Sequence, residues 1–311
     1  MIVNVPSWED LRTISLQLYF KAWAAAVEIV TEFDDVYTDG LDWEDEWKGY
    51  IEASQADLQS IYTLIQQSQE IGIKALIARV SPFLLLKRHE TKPTAPGGST
   101  YDFSDFPTLD ASELVRVHNV FCDTKLSDEF STDFETLRRE RNKIAHIGLF
   151  NKTLTPDHLI EVLIKQFQEL YKDRAWLVER VFFISKHRWA DYGDYDKWSP
   201  VGAALYELWK TLPRVTPKQF EAIFGRGPDE KRLICPACGP ALEHFMDGNE
   251  PYARDIPTAF EAADAKIACA ACGHAFALIA QKCVEGECDG EFVAVHDGDA
   301  FCVECGEQKV A

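Results

Sequence analysis

The 311-residue sequence contains no apolar run near the ~18 residues that a membrane-spanning helix needs, so no membrane partner is expected. Its first residues, MIVNVPSWEDL, lack a basic leader and soon turn acidic. A secretory signal is therefore not expected, and a cytoplasmic location is. Positive charge is scarce: 32 Lys and Arg stand against 51 Asp and Glu, a formal net charge of -19. That excludes a broad basic surface gripping nucleic acid through many phosphates, though not a local basic site. The chain also lacks a P-loop, a G-x-G-x-x-G fingerprint and a G-x-S-x-G elbow, which removes the sequence support for a phosphate cradle or a serine nucleophile. Cysteine is nearly absent before residue 235, where only Cys122 occurs. No neighbour offers it a base, so it reads as a core thiol.

The other eight cysteines fall between 235 and 305. Cys235 and Cys238 stand in CPACG, and Cys269 and Cys272 in CAACG. In each, C-x-x-C followed by glycine makes a tight turn whose N–H groups point at the sulfurs. Two such turns supply the four thiolates of a tetrahedral zinc site. Cys283 and Cys288 form a looser C-x4-C, and Cys302 and Cys305 stand in CVECG, which together predict a second site. The expectation is two structural zinc ions per chain in tandem zinc ribbons over 233–311, with no catalytic metal, because four thiolates leave no open position. His244, His274 and His296 read as loop residues, since the cysteines already close both sites. From residue 233 on there are four Lys or Arg against fourteen Asp or Glu, a formal -10 that repels phosphate. A protein partner at the acidic ribbons, or a purely structural role, suits this surface better.

Helical periodicity governs the rest. Leu11, Ile14, Leu18, Ala22, Ala25 and Ile29 fit one face of a first helix, opened by Ser7 and Asp10. A second helical stretch runs from about Trp47 to Val80, residues 91–109 read as a loop, and 111–122 as a short helix after Asp110. Thr132 and Glu135 predict a capping box opening the next helix, with Gly148 past its end. Thr155 and Pro156 open a long helix whose stripe runs through Leu159, Val162, Leu163, Phe167, Leu170, Leu177 and Val181. Residues 191–232 form a connector with two short helices opened by Ser199-Pro200 and Thr216-Pro217, the second closed by Gly225. The fold expectation is mainly α, a helical bundle over 1–190 followed by the connector and a β-poor ribbon region, with short strand-like runs between the cysteine turns. The acidic segment around Trp43 and Trp47 reads as a solvated helix start, and His187 with Arg188 as a helix end.

Within the bundle one residue is out of place. On a helical wheel Phe134, Leu137, Ile144 and Ala145 share an apolar arc, and Arg141 falls near its middle. His146 lies on the flank, about 140° from Arg141 on a straight helix. An unpaired buried guanidinium is costly, so Arg141 must pair with a neighbouring carboxylate or face a polar cavity.

The string RNKIAH, residues 141–146, resembles the R-x4-6-H motif of the HEPN superfamily. The resemblance covers the helical body and rests on this motif in an all-helical setting. It implies a HEPN-like bundle that forms a homodimer through the Arg141/His146 helix, and, in many members, a metal-independent endoribonuclease. The implied catalytic residues are Arg141 on the scissile phosphate, His146 moving protons near neutral pH, and Asn142 orienting either. It also implies an RNA substrate and a role as toxin or antiphage defence effector. The alternative is a non-catalytic HEPN dimerisation or scaffold module that recognises a protein through its ribbons. Position 148 is glycine, so the R-x4-H-x-Y extension of one subgroup, and regulation through its tyrosine, are absent.

Overall fold

The computed structural model describes residues 2–37, 42–87, 100–147, 153–186, 199–240, 256–285 and 287–309. The chain divides into two compact units, Met1–Lys172 and Asp173–Ala311. The described helices and strands make the protein mainly α, with a β region near its C-terminus.

The first unit is a helical bundle. Its helices are α1 (Trp8–Val36), α2 (Glu44–Ala53), α3 (Gln55–Val80), α4 (Ala111–Phe121), α5 (Asp128–Ile147) and α6 (Pro156–Leu170). A short parallel pair, β1 (Ile2–Val3) with β2 (Tyr101–Asp102), ties the start of the chain to the segment before α4. The long helices α1 and α3 form the spine, with α4, α5 and α6 packed against α3 and α6 also against α1. Trp23, Tyr19, Phe20, Leu58, Ile65, Ile73, Ile77, Leu114 and Leu159 are fully buried between them. Each such side chain contributes about 1.5–3 kcal/mol through removal from water.

Several boundaries differ from the pattern-based expectation. Ser7 caps α1 as expected, accepting from the Asp10 N–H at 3.0 Å. The buried face of α1, however, runs through Ser15, Tyr19, Ala22, Trp23, Ala26 and Val30, and Ile14 is exposed. The face is turned because Ser15 is a core residue: its hydroxyl donates to the Ser68 carbonyl at 2.6 Å and lies 2.5 Å from the Tyr171 hydroxyl. The 47–80 stretch is two helices, broken at Ser54. The Thr132 capping box is not formed, since α5 starts four residues earlier. Ser127 accepts from the Phe130 N–H at 3.2 Å, while the Thr132 hydroxyl bonds back to the Asp128 carbonyl at 2.8 Å as a mid-helix threonine does. Thr155 does cap α6, with Pro156 in its first turn. Gly148 lies outside the described residues.

The stripe that opens with Leu159 is likewise two helices, because α6 stops at Leu170 and α7 (Trp176–Ser185) starts after a turn. α7 is grouped with the second unit, beside α8 (Pro200–Thr211) and α9 (Pro217–Phe224). Arg180, 3% exposed, donates to both carboxylate oxygens of Glu207 and so fastens α7 to α8. Ser199 and Thr216 cap α8 and α9, and Gly225 closes α9 at φ 68°, a left-handed turn that glycine adopts without strain.

After α9 the chain becomes a sheet. Strands β3 (Arg232–Leu233), β4 (Ala259–Ala262), β5 (Lys266–Cys269), β6 (Ala275–Ala280), β7 (Phe292–His296), β8 (Asp299–Cys302) and β9 (Gln308–Lys309) pair antiparallel in chain order. The region is therefore not β-poor. Each strand is only two to six residues long, and the ladder is legible only once the cysteine turns have set the register.

Candidate functional site

The cysteine-rich sheet carries two four-thiol groups. Cys235, Cys238, Cys269 and Cys272 form one, and Cys283, Cys288, Cys302 and Cys305 the other. Within each group all four Sγ atoms lie within 4.8 Å of one another. The pairs Cys235–Cys272 and Cys238–Cys269 are 3.8 and 3.7 Å apart, and Cys283–Cys305 and Cys288–Cys302 are 3.6 and 3.8 Å apart. A disulfide needs sulfurs at about 2.05 Å. A tetrahedral ion bound at about 2.3 Å to each sulfur separates them by about 3.8 Å, the spacing found here. The donor set thus fits two metal ions, one per group. No histidine belongs to either group; His274 and His296 pack edge-on against Phe276 instead, and His244 lies outside the described residues.

The sequence builds these sites through its turns. In CAACG the Gly273 N–H returns to the Cys269 carbonyl at 3.0 Å with Gly273 at φ 73°, and the Ala271 N–H reaches Cys269 Sγ at 3.3 Å. CVECG repeats the turn, with Gly306 at φ 82° donating to the Cys302 carbonyl at 2.9 Å. Two supporting residues were not anticipated. The Thr258 hydroxyl lies 3.3 Å from Cys269 Sγ. Gly290 donates to Cys288 Sγ at 3.4 Å, and a Cβ there would come within 2.7 Å of Cys302 Sγ. Cys288-Asp-Gly is one residue longer than Cys-Gly, and that echo of the knuckles is the signal that finds Gly290.

In the helical unit Arg141 is half-buried on α5 and reaches α3. Its Nε donates to Gln66 Oε1 at 3.0 Å, and a terminal nitrogen sits 3.9 Å from Glu70 Oε2, an ion pair too long for a hydrogen bond. Gln66 turns its amide N–H toward Glu70 at 3.3 Å, and Glu70 also pairs with Lys74 at 2.7 Å. Gln66 itself is fully buried. A buried glutamine and a glutamate one helical turn apart therefore receive the guanidinium that interrupts the apolar arc. Asn142 is half-buried, and His146 is exposed near the end of α5. Within one chain these three side chains line no common cleft that the described contacts define. Glu135 binds Arg138 through both its oxygens at 2.7 and 2.8 Å, and its carboxyl is held down to about 2 by that Arg138 bond, with Arg139 adding to it.

The remaining candidates are quieter. Cys122 is half-buried after α4, with its thiol 3.7 Å from the Leu76 carbonyl, and burial pushes that thiol above its ordinary range. Trp43 packs tilted against Tyr37, and Trp47 packs edge-on against Phe33 and stacks on Tyr50, rather than standing free in solvent. His187 and Arg188 lie outside the described residues. Among the described residues no helix is long and apolar enough to cross a membrane.

No family model, no curated protein and no solved structure matches the chain.

Proposed function

We propose that the protein is a metal-independent endoribonuclease of the HEPN kind whose site is completed by a second copy of the chain. The observation that carries this reading is the setting of Arg141. Its Nε is held by Gln66 Oε1, while its terminal nitrogens meet no carboxylate at hydrogen-bond distance among the described residues. A guanidinium anchored at one edge keeps its other edge for a phosphate, which it binds bidentately. His146, exposed on the same helix, carries the proton chemistry. About 140° of helix separates the two within one chain, so the arginine of one copy works beside the histidine of the other across a two-fold axis.

In the reaction, a ribose 2'-hydroxyl attacks the adjacent phosphorus and loses its proton. The bond from phosphorus to the 5'-oxygen breaks, and that oxygen takes a proton. His146 serves these transfers, and Arg141 stabilises the charge that develops on the phosphate. The products are a 2',3'-cyclic phosphate and a 5'-hydroxyl. Both four-thiol groups hold zinc in this reading, as structural ions that set the sheet and take no part in the cleavage.

A second reading is favoured by Glu70. Its carboxylate already stands beside Arg141, as it would if the arginine served only to join α5 to α3 in a non-catalytic dimerisation module. One assay separates the two. The purified protein is incubated with RNA with and without EDTA, beside Arg141→Ala and His146→Ala. The nuclease reading expects cleavage that survives EDTA and is lost in both variants, with cyclic-phosphate ends. It is abandoned if either variant cuts at the parental rate, or if the parental protein leaves RNA intact as a proven dimer.

A further inference from the structure

A small cavity of about 200 Å³ opens on the sheet of the second unit, lined by Lys231, Leu233, Glu261, Leu278, Asp289, Glu291, Phe292, Val303 and Glu304. Its chemistry is divided. Leu233 and Val303 are buried and make an apolar floor, extended by Leu278 and by Phe292, a residue 41% exposed. Four exposed carboxylates line it with one lysine. Lys231 pairs with Glu304 at 2.7 Å, whereas Glu261, Asp289 and Glu291 form no ion pair among the described residues.

We propose that this cavity docks a lysine side chain from a basic segment of a protein partner. Three arguments fix that occupant. Small-molecule pockets run to about 300–1,000 Å³, so this one suits a single side chain better than a nucleotide or cofactor. Its floor matches the aliphatic stem of lysine, and the exposed face of Phe292 can receive the ammonium. Its rim holds an excess of three negative charges in a region of formal charge -10, which attracts a cation and repels RNA. Lys231 is the internal precedent: the cavity already gathers one ammonium, and that lysine is held in its charged form above the usual range by Glu304 first, with Glu261 and Glu291 adding to it. The cavity is built within one unit, so the proposal stands whether or not the helical unit cleaves RNA.

The test uses the full metal-loaded chain and a fluorescein-labelled lysine-rich peptide at physiological salt. A norleucine-for-lysine peptide is the control, and free cadaverine is a competitor. Glu261→Gln with Glu291→Gln is expected to weaken peptide binding by about tenfold or more. Asp264→Asn with Asp299→Asn removes the same charge from exposed positions of the same sheet and is expected to change it less than about twofold. Lys231→Ala frees Glu304 and is expected to tighten binding several-fold, a gain that misfolding cannot produce. Equal losses in the two double variants would reduce the effect to overall charge and overturn the proposal. So would an unchanged Lys231→Ala, equal binding of the norleucine peptide, or no binding of the lysine peptide. Cadaverine competing as well as the peptide would make this a free-amine site and overturn the docking assignment.

Discussion

Compare α6 with β6. In α6, Leu159, Ile160, Val162, Leu163, Ile164, Phe167 and Leu170 are all buried. In β6, Ala275–Ala280, no residue is buried, although the strand is paired on both sides. The helical unit holds its shape by packing side chains. The sheet has Phe260, Ile267 and Val293 among its buried residues, and its turns are drawn together at eight thiols. An apolar interior is distributed, and any one contact is a small part of it. A thiol cluster is concentrated, and its loss is expected to release the strands around it together.

The largest expected effect follows from that contrast. Stripping metal with a thiol-competent chelator should unfold residues 233–309 and leave 2–172 folded, because structural zinc in small domains supplies about 10–16 kcal/mol of binding that is also folding energy. Loaded protein should carry two zinc ions per chain, and Cys269→Ser should lose one of them. Metal analysis with hydrogen exchange on both units checks this. If exchange in 2–172 rises together with that of the strands, the two units do not differ in the way argued.

A middle-sized effect is expected at Gly72, within α3. A Cβ there would meet Leu170 Cδ1 at 2.8 Å and Ser15 Oγ at 2.9 Å. Neither can retreat easily. Leu170 is buried, and Ser15 is held by Ser68 and Tyr171. Gly72→Ala raises helix propensity by about 1 kcal/mol yet should still destabilise the unit, by about 1–3 kcal/mol, because the crowding outweighs the propensity. Denaturant melts of the helical unit decide the sign. An increase in stability would mean that α1 and α3 part without cost, and that packing here is looser than the buried side chains suggest.

The same contrast explains what the sequence disclosed. The four-thiol groups were legible because a thiolate site demands a residue type at a spacing, and both survive without knowledge of the fold. The bundle was legible as helices, but its faces were not. Ser15 is not among the apolar positions that define the expected face, and only its partners on α3 and after α6 show that it is core. Arg141 was visible as an anomaly, whereas Gln66 and Glu70, which explain its position in the chain, lie about 70 residues away and carry no local sign of that role. The Thr132 box failed because a better-placed Ser127 starts the helix earlier, a competition that a motif read alone does not register. The strand-like runs between the cysteine turns are legible, but their number and their pairing into one seven-strand ladder are not, because strands of two to six residues have too few positions to show a period.

The smallest effect is expected where charge alone is at stake in the helical unit. Glu135 is bound on both oxygens by Arg138 and on one by Arg139, and its carboxyl is held down to about 2, yet its side chain is 34% exposed. A depressed carboxyl contributes stability that is present above its unfolded value, about 4.3, and is lost as pH falls through about 2. Water and salt screen a pair this exposed, so Glu135→Gln should cost under about 1 kcal/mol at neutral pH. The gap between parent and variant should shrink as pH falls from about 5 toward 2, and shrink also as salt rises at neutral pH. Thermal melts of both proteins across pH and salt measure it. A constant gap across that range would move the role of Glu135 from charge to packing. A gap of several kcal/mol would make a single carboxylate as consequential in the bundle as a thiol is in the sheet, and the contrast between the two units would fail at its simplest point.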